Sequence, residues 1–330
     1  MKKTLIYIAS DHRSGSTLLD HLLGRHDRII AVGELLNLSD HVNQKGIGRT
    51  WDWRCTCGKK IGSCGFWSRI IKQYEKKENV DFSGVETAAK DNSNKFFDLI
   101  FSFFVFIIGC SPKKKQKILR GFYYREKHQE IASNYFKILD NIVEDVGGKF
   151  VLDSSKTPEQ FFVLLNHHQN EYRIKLIYLV RDARAVCHSR INRATQSGRH
   201  FGYLNAVISW AKVNLKIINL RSFVKDEDFI MIRYEDLCLE TEQTLHNVLR
   251  ILDLPYTRKL TRLEKEERHN IGGSPHRFNL NTNIQMDERW KSSFTLKKKM
   301  IFMVFGAFLN QKLGYGQKNK TKAKSWSVRR

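Results

Sequence analysis

Apolar positions along this chain fall into two alternating regimes. Short, nearly continuous runs occur at TLIYIA (4–9), RIIAVGE (28–34), KFVLD (149–153), IKLIYLV (174–180) and FIMIRY (229–234). They are too short for helices and rich in β-branched residues, which predicts buried strands. Between them apolar residues recur at three and four: leucines 18, 19, 22 and 23 before Gly24, then FWSRIIKQYEKK, YREKHQEIASNYFKILDNIVEDVG, PEQFFVLLNHH, ARAVCHSRI and YLNAVISWAKVNLKIINLRSF. Strands apolar on both faces that alternate with helices predict an α/β fold, three layers with a central parallel sheet covered by helices on both faces.

The regularity lapses between about residues 35 and 121, which reads as an insertion into one domain spanning 1–330, and a basic tail occupies about 316–330. Within the insertion, FFDLIFSFFVFIIG (Phe96 to Gly109) followed by Lys113, Lys114 and Lys115 is shorter than the roughly 20 residues of a membrane span. It reads as a buried helix or lid, or as an interfacial helix held by lysines. The first residues offer no secretory apolar core, because Asp11, His12 and Arg13 interrupt them, so a cytoplasmic site is expected, with the inner face of a membrane as the alternative.

Lys and Arg number 57 against 34 Asp and Glu, a formal net charge of +23. That excess favours phosphates, sulfates, nucleic acid or anionic lipid without choosing among them. Three of six cysteines cluster at Cys55, Cys57 and Cys64. A closed structural zinc site needs four ligands, so His41 or a distant cysteine would have to join them; free thiols and a disulfide are the alternatives.

The candidate chemistry begins in DHRSGSTLL. A strand that turns through Ser and Gly into a helix aims unpaired backbone N–H groups, at the positive end of the helix dipole, at whatever sits before it. Gly15 lets the main chain approach an anion, Ser14, Ser16 and Thr17 add hydroxyls, and Arg13 adds a guanidinium. The ATP-type loop has Gly, four residues, then Gly-Lys-Ser/Thr, and that lysine is missing. A phosphate-like group held without a bound metal is the expectation. A second anion contact is expected at the tip of the 174–180 run, where Arg181 and Asp182 are followed by Ser189 on the next helix.

These two segments, RSGSTLL and LVRDARAVCHSR, resemble the 5′-phosphosulfate loop and the 3′-phosphate element of sulfotransferases that use 3′-phosphoadenosine-5′-phosphosulfate (PAPS). VLDSSKTPE, IRYEDL, HNIGGSPHRFNLNTNIQMDERWK and a closing helix ending in LGYG follow in the order of bacterial members related to carbohydrate and tyrosylprotein sulfotransferases. The resemblance implies a P-loop-like fold, PAPS as donor with 3′,5′-adenosine bisphosphate as product, and no metal requirement. It places Arg13, Ser14, Gly15, Ser16 and Thr17 around the phosphosulfate, Arg181 and Ser189 at the 3′-phosphate, and Arg277 at a further phosphate contact on a loop closing over the nucleotide.

For a base, Glu34 in AVGELLNL is similar to the Gly-Glu position of that branch, with His12 and His41 as substitutes and His21 and His26 as helix-face and turn residues. Lys156 is expected to face the leaving group, Asp153 to be structural, Trp210 to be core, and Arg233, Glu235 and Asp236 to tie a strand to its neighbours. The acceptor is a hydroxyl or amine, on a carbohydrate or lipid-linked molecule. Two other readings remain: a P-loop-type small-molecule kinase, and a basic protein binding nucleic acid or an anionic membrane, which would explain the charge but not the ordered series of loops.

Overall fold

The computed structural model describes residues 2–44, 53–89, 126–167, 171–261, 267–278 and 284–316. The apolar run 96–109, the lysines after it and the tail beyond 316 lie outside these residues. Strands β1 (Lys3–Ser10), β2 (Ile29–Gly33), β3 (Phe150–Lys156), β4 (Tyr172–Val180) and β5 (Phe229–Arg233) form one sheet in the order β2-β3-β1-β4-β5, every pairing parallel.

The period-two alternation of β1 explains why the sheet is sandwiched. Leu5, Tyr7 and Ala9 enter one core cluster, while Ile6 and Ile8 enter another on the opposite face. On the second face lie α1 (Ser16–Leu23), and later α8 (Tyr234–Leu239) and α9 (Thr241–Ile251). The first face receives α2 (Leu38–Val42), α3 (Gly65–Glu78), α4 (Glu126–Val146), α5 (Pro158–His167) and α7 (Tyr203–Leu220). Helix α6 (Ala183–Thr195) follows β4 and packs on α7. This is the expected α/β architecture with both faces covered.

Several boundaries differ from expectation for physical reasons. Strand β3 continues past Asp153 through Ser154, Ser155 and Lys156, whose polar side chains are buried against partners that substitute for an apolar core. The described part of the expected insertion is built into the main core: Cys55, Ile61, Cys64, Trp67, Ile70 and Tyr74 share a cluster with β1. The closing helix is two helices, α10 (Leu296–Phe305) and α11 (Ala307–Lys312), broken at Gly306, where a Cβ would lie 2.9 Å from Phe302 and 3.0 Å from Val207. Helix α9 lies in a stretch where no helix is predicted. Among the described residues no helix is long and apolar enough to cross a membrane.

Because β1 lies between β3 and β4, the tips of β1 and β4 are neighbours, with Ser10 beside Leu179. The sheet thus brings the 11–15 loop and Arg181 to one edge, where open parallel sheets bind ligands.

Candidate active site

The turn after β1 is tightly anchored. Asp11 pairs with Arg190 and accepts the His12 amide at 2.8 Å. Arg13 and Gly15 both take positive φ, 71° and 93°. Gly15 has a second reason to lack a side chain: its Cβ would lie 2.3 Å from Cδ2 of Tyr234. The turn delivers Ser16 and Thr17 into the first turn of α1, and the Ser14 hydroxyl is buried with no hydrogen-bond partner among the described residues. A buried hydroxyl at a helix N-terminus, lacking a protein acceptor or donor, suits an incoming anion.

Arg181 lies against this turn. Its NH1 donates to the Arg13 carbonyl at 2.9 Å, NH2 donates to the Asp287 carbonyl at 3.1 Å, and its guanidinium stacks on the Tyr234 ring at 4.3 Å. Its Nε is buried with no hydrogen-bond partner among the described residues. Ser189 on α6 accepts from Arg13 Nε at 2.9 Å. Sequence reasoning places Arg13 at the phosphosulfate and Ser189 at a separate 3′-phosphate; the structure joins the two in one cluster. Burial, then the charges of Arg193 and Arg181, push the Arg13 pKa down, with Arg289 adding to the effect and Asp287 opposing it. Guanidiniums held this close favour a multiply charged anion between them.

The other half of the site gathers at the tips of β2 and β3. Lys156, in a left-handed conformation with φ 71°, forms an ion pair with Glu34; their side chains are 9% and 13% exposed. Burial alone would raise the Glu34 pKa, but Lys156 outweighs it, and the carboxyl ends below its ordinary value. Asn37 Nδ2 donates to Glu34 Oε2 at 2.9 Å. The Glu34 amide donates to the Ile271 carbonyl at 2.7 Å, and Gly272 lies so close that a Cβ there would be 2.7 Å from that of Glu34. Asp153 is fully buried and structural, accepting the amides of Leu35 at 3.3 Å and Ser155 at 2.7 Å and a bond from Tyr135.

Two histidines border Glu34. His12 has an exposed surface, but the protein crowded around its ring and then the Lys156 charge bring its pKa down to about 4. Burial and Arg277 bring His41 to about 4 as well, so both rings are neutral at physiological pH. His21 instead meets Arg268 NH1 at 2.8 Å, and His26 bonds the Pro255 carbonyl at 3.0 Å.

The 271–278 loop closes the site. Ser274 donates its amide to Thr17 Oγ1 at 3.3 Å. Arg277 lies on the Glu34 side, and its guanidinium holds the carbonyls of Gly272, Gly273 and Arg54, the last at 3.0 Å. It therefore ties the loop closed beside Glu34. Trp210 is core, donating to the Arg181 carbonyl at 3.3 Å. Glu235 accepts from Tyr315 at 2.6 Å and from the Asp182 amide at 3.3 Å, while Arg233 pairs with Asp236.

Sequence reasoning missed Tyr234, Asp287 and Arg289. Tyr234 was visible only as a member of IRYEDL; its contact with Gly15 depends on the order of strands.

The family model described as "Sulfotransferase family" matches residues 6–258. Among solved structures, the sulfotransferase domain from the curacin biosynthetic pathway superposes with a TM-score of 0.52 at 20% identity, covering 96% of this chain and 99% of that one. The sulfotransferase domain from the Synechococcus PCC 7002 olefin synthase gives 0.51 at 18% identity, covering 92% and 94%. At these identities the structural likeness speaks for the fold. No curated protein sequence matches the chain. With the family match spanning most of its length, the chain belongs to the sulfotransferase family and is a sulfotransferase enzyme.

Proposed function

We propose that the enzyme takes its sulfuryl group from PAPS and passes it to a hydroxyl, or an amine, with Glu34 as general base. The observation that carries this reading is the placement of Arg181 against the Arg13 carbonyl at 2.9 Å, with Tyr234 touching both Gly15 and Arg181. One doubly phosphorylated adenosine could be held there at both ends. The unpartnered Ser14 Oγ and Arg181 Nε fit such a ligand.

In the reaction the acceptor oxygen forms a bond to sulfur as the bond from sulfur to the 5′-phosphate oxygen breaks, and 3′,5′-adenosine bisphosphate leaves. The acceptor proton goes to a Glu34 carboxylate oxygen, a general-base contribution of about 10²–10⁴-fold. Fixed donors offset the charge on the departing phosphate. Arg13, Ser14, Ser16, Thr17 and the amides after Gly15 fill that role, and Arg181 and Ser189 take the 3′-phosphate. Lys156 balances both ends: paired with Glu34 at rest, it can turn to the leaving oxygen as Glu34 becomes neutral. Arg277 acts by fixing the loop beside Glu34.

For the acceptor, a lipid-linked molecule draws support from an exposed apolar surface on α10 and α11. Met300, Met303, Val304, Phe305 and Phe308 are exposed there, beside Lys297, Lys298 and Lys299. A carbohydrate acceptor rests on the basic charge alone.

The deciding measurement is thermal stabilisation by 3′,5′-adenosine bisphosphate against ATP with magnesium. A single site at 100-fold excess over Kd adds about 2.7 kcal/mol. Stabilisation by ATP-magnesium alone, or binding to any polyanion without nucleotide preference, would overturn PAPS as the donor.

A further inference from the structure

Away from the donor site, four side chains converge that sulfuryl transfer does not use. Cys55, Cys57, Cys64 and His269 each direct one ligand atom inward, and all four atoms lie within 4.8 Å of one another. The fourth member is neither His41 nor a distant cysteine, as the sequence suggests, but a histidine beyond the stretch matched by the family model.

The separations fit a tetrahedron around one ion. Bonds of about 2.3 Å to sulfur and about 2.0–2.1 Å to imidazole nitrogen give edges of about 3.8 Å between sulfurs and about 3.5 Å from sulfur to nitrogen. Cys57 and Cys64 sulfurs are 3.7 Å apart, and His269 Nδ1 is 3.3 Å from Cys64 and 3.6 Å from Cys55. A disulfide needs about 2.05 Å, and these cysteines are free.

The scaffold around them is also built for ligation. Arg54 and Lys60 close a small hairpin, with Gly58 at φ 88° donating to the Cys55 carbonyl at 2.8 Å, and this turn presents Cys55 and Cys57 together. Cys64 immediately precedes the first residue of α3, which sets its sulfur at the positive end of the helix dipole. Phe66 stacks on the His269 ring at 5.2 Å and 9°, and the Trp67 indole donates to the His269 carbonyl at 2.6 Å. Glu267 stands 3.9 Å from His269 Nε2, the outer carboxylate that often orients a ligating imidazole.

We infer that Cys55, Cys57, Cys64 and His269 form a closed structural zinc site that fastens the 53–64 hairpin to the loop seating Glu34. Three thiolates and one imidazole fill four positions and leave none for substrate, so the ion is structural. From His269 the chain runs through Asn270, whose amide donates to Thr56 at 3.0 Å, to Ile271 and Gly272 beside Glu34. The ion therefore acts on the reaction only by positioning.

The test uses full-length protein purified without chelator and measures metal by mass spectrometry in the absence of nucleotide. About one zinc per chain is expected, and a cobalt-substituted sample should show sulfur-to-cobalt charge transfer with the intense visible bands of a tetrahedral ion. His269→Ala, and Cys57→Ser at the most accessible cysteine of the three, should lose the metal, whereas Cys238→Ser should keep it. Since a ligand variant can fail to fold, the wild-type protein is also treated with a strong chelator: its melting temperature should drop, and return with added zinc. Iron in place of zinc, no metal with the three thiols freely alkylated, or a Cys57 to Cys64 disulfide would each overturn the assignment. Metal content is independent of nucleotide binding, so the donor reading and this one fail separately.

Discussion

Lys156 neutralises Glu34 across the tips of two adjacent strands, although the two residues are far apart in sequence. A carboxylate paired with an ammonium is a weak base until the ammonium moves. Glu34→Gln should keep 3′,5′-adenosine bisphosphate affinity within a few-fold while kcat falls by about 10²–10⁴. Turnover at the parent rate would remove Glu34 from the mechanism.

The same pair predicts a pH signature. Lys156 holds the Glu34 pKa below its ordinary value of 4.5, so the acid limb of kcat/KM in the parent enzyme should lie below that pH. Lys156→Met leaves burial to dominate and raises the Glu34 pKa, which moves the acid limb to higher pH while lowering kcat. A limb that stays in place after Lys156→Met would disconnect the lysine from the base.

Arg181 is expected to read the 3′-phosphate. Charge-assisted hydrogen bonds contribute about 1.5–3 kcal/mol, or roughly 10–150-fold in affinity. Calorimetric titration of Arg181→Ala should show the preference for 3′,5′-adenosine bisphosphate over 5′-AMP collapsing by about that factor. Equal loss for both nucleotides would instead mean that Arg181 only supports the Arg13 turn.

Gly15→Ala tests whether Tyr234 shapes the anion loop. A side chain at φ 93° and 2.3 Å from the Tyr234 ring costs about 1–3 kcal/mol in backbone strain, before the ring itself is displaced. The melting temperature should fall by a few degrees and donor affinity by tenfold or more. Unchanged binding would show that the loop and ring are not coupled.

A buried carboxyl gives a stability prediction with a definite sign. Burial raises Asp20 to about 7 from 3.8, despite the bond from Ser154 at 2.7 Å. The folded state then binds more protons than the unfolded one between these values, so stability falls as pH rises through that window. Asp11 and Asp153, both near 6 through burial, act in the same sense, while Glu34 acts oppositely at lower pH. Asp20→Asn should flatten the slope of urea midpoints between pH 4 and 7, and an undiminished slope would remove Asp20 as its source.

The legible parts of this fold are those where local pattern and final environment agree. Leu5 to Ala9 read as a doubly buried strand because every residue meets a core, and Ser14 to Thr17 read as a turn from strand into helix because its glycine and hydroxyls are local. Ser154 to Lys156 carry no apolar strand pattern of their own, because their polarity is compensated by partners such as Asp20 and Glu34, distant in sequence. Tyr234 and His269 were missed for the same reason: a ring on Gly15, or a nitrogen beside Cys64, is a product of chain topology.

Ile271 extends the edge of the sheet by pairing with Gly33, and its carbonyl receives the amide of Glu34. The seat of the proposed base thus joins an early strand to a segment synthesised after most of the chain. During translation, the Ser14–Thr17 turn and Glu34 emerge long before Ile271. A chain cut short before residue 271 would therefore keep Glu34 but lack the carbonyl that receives its amide.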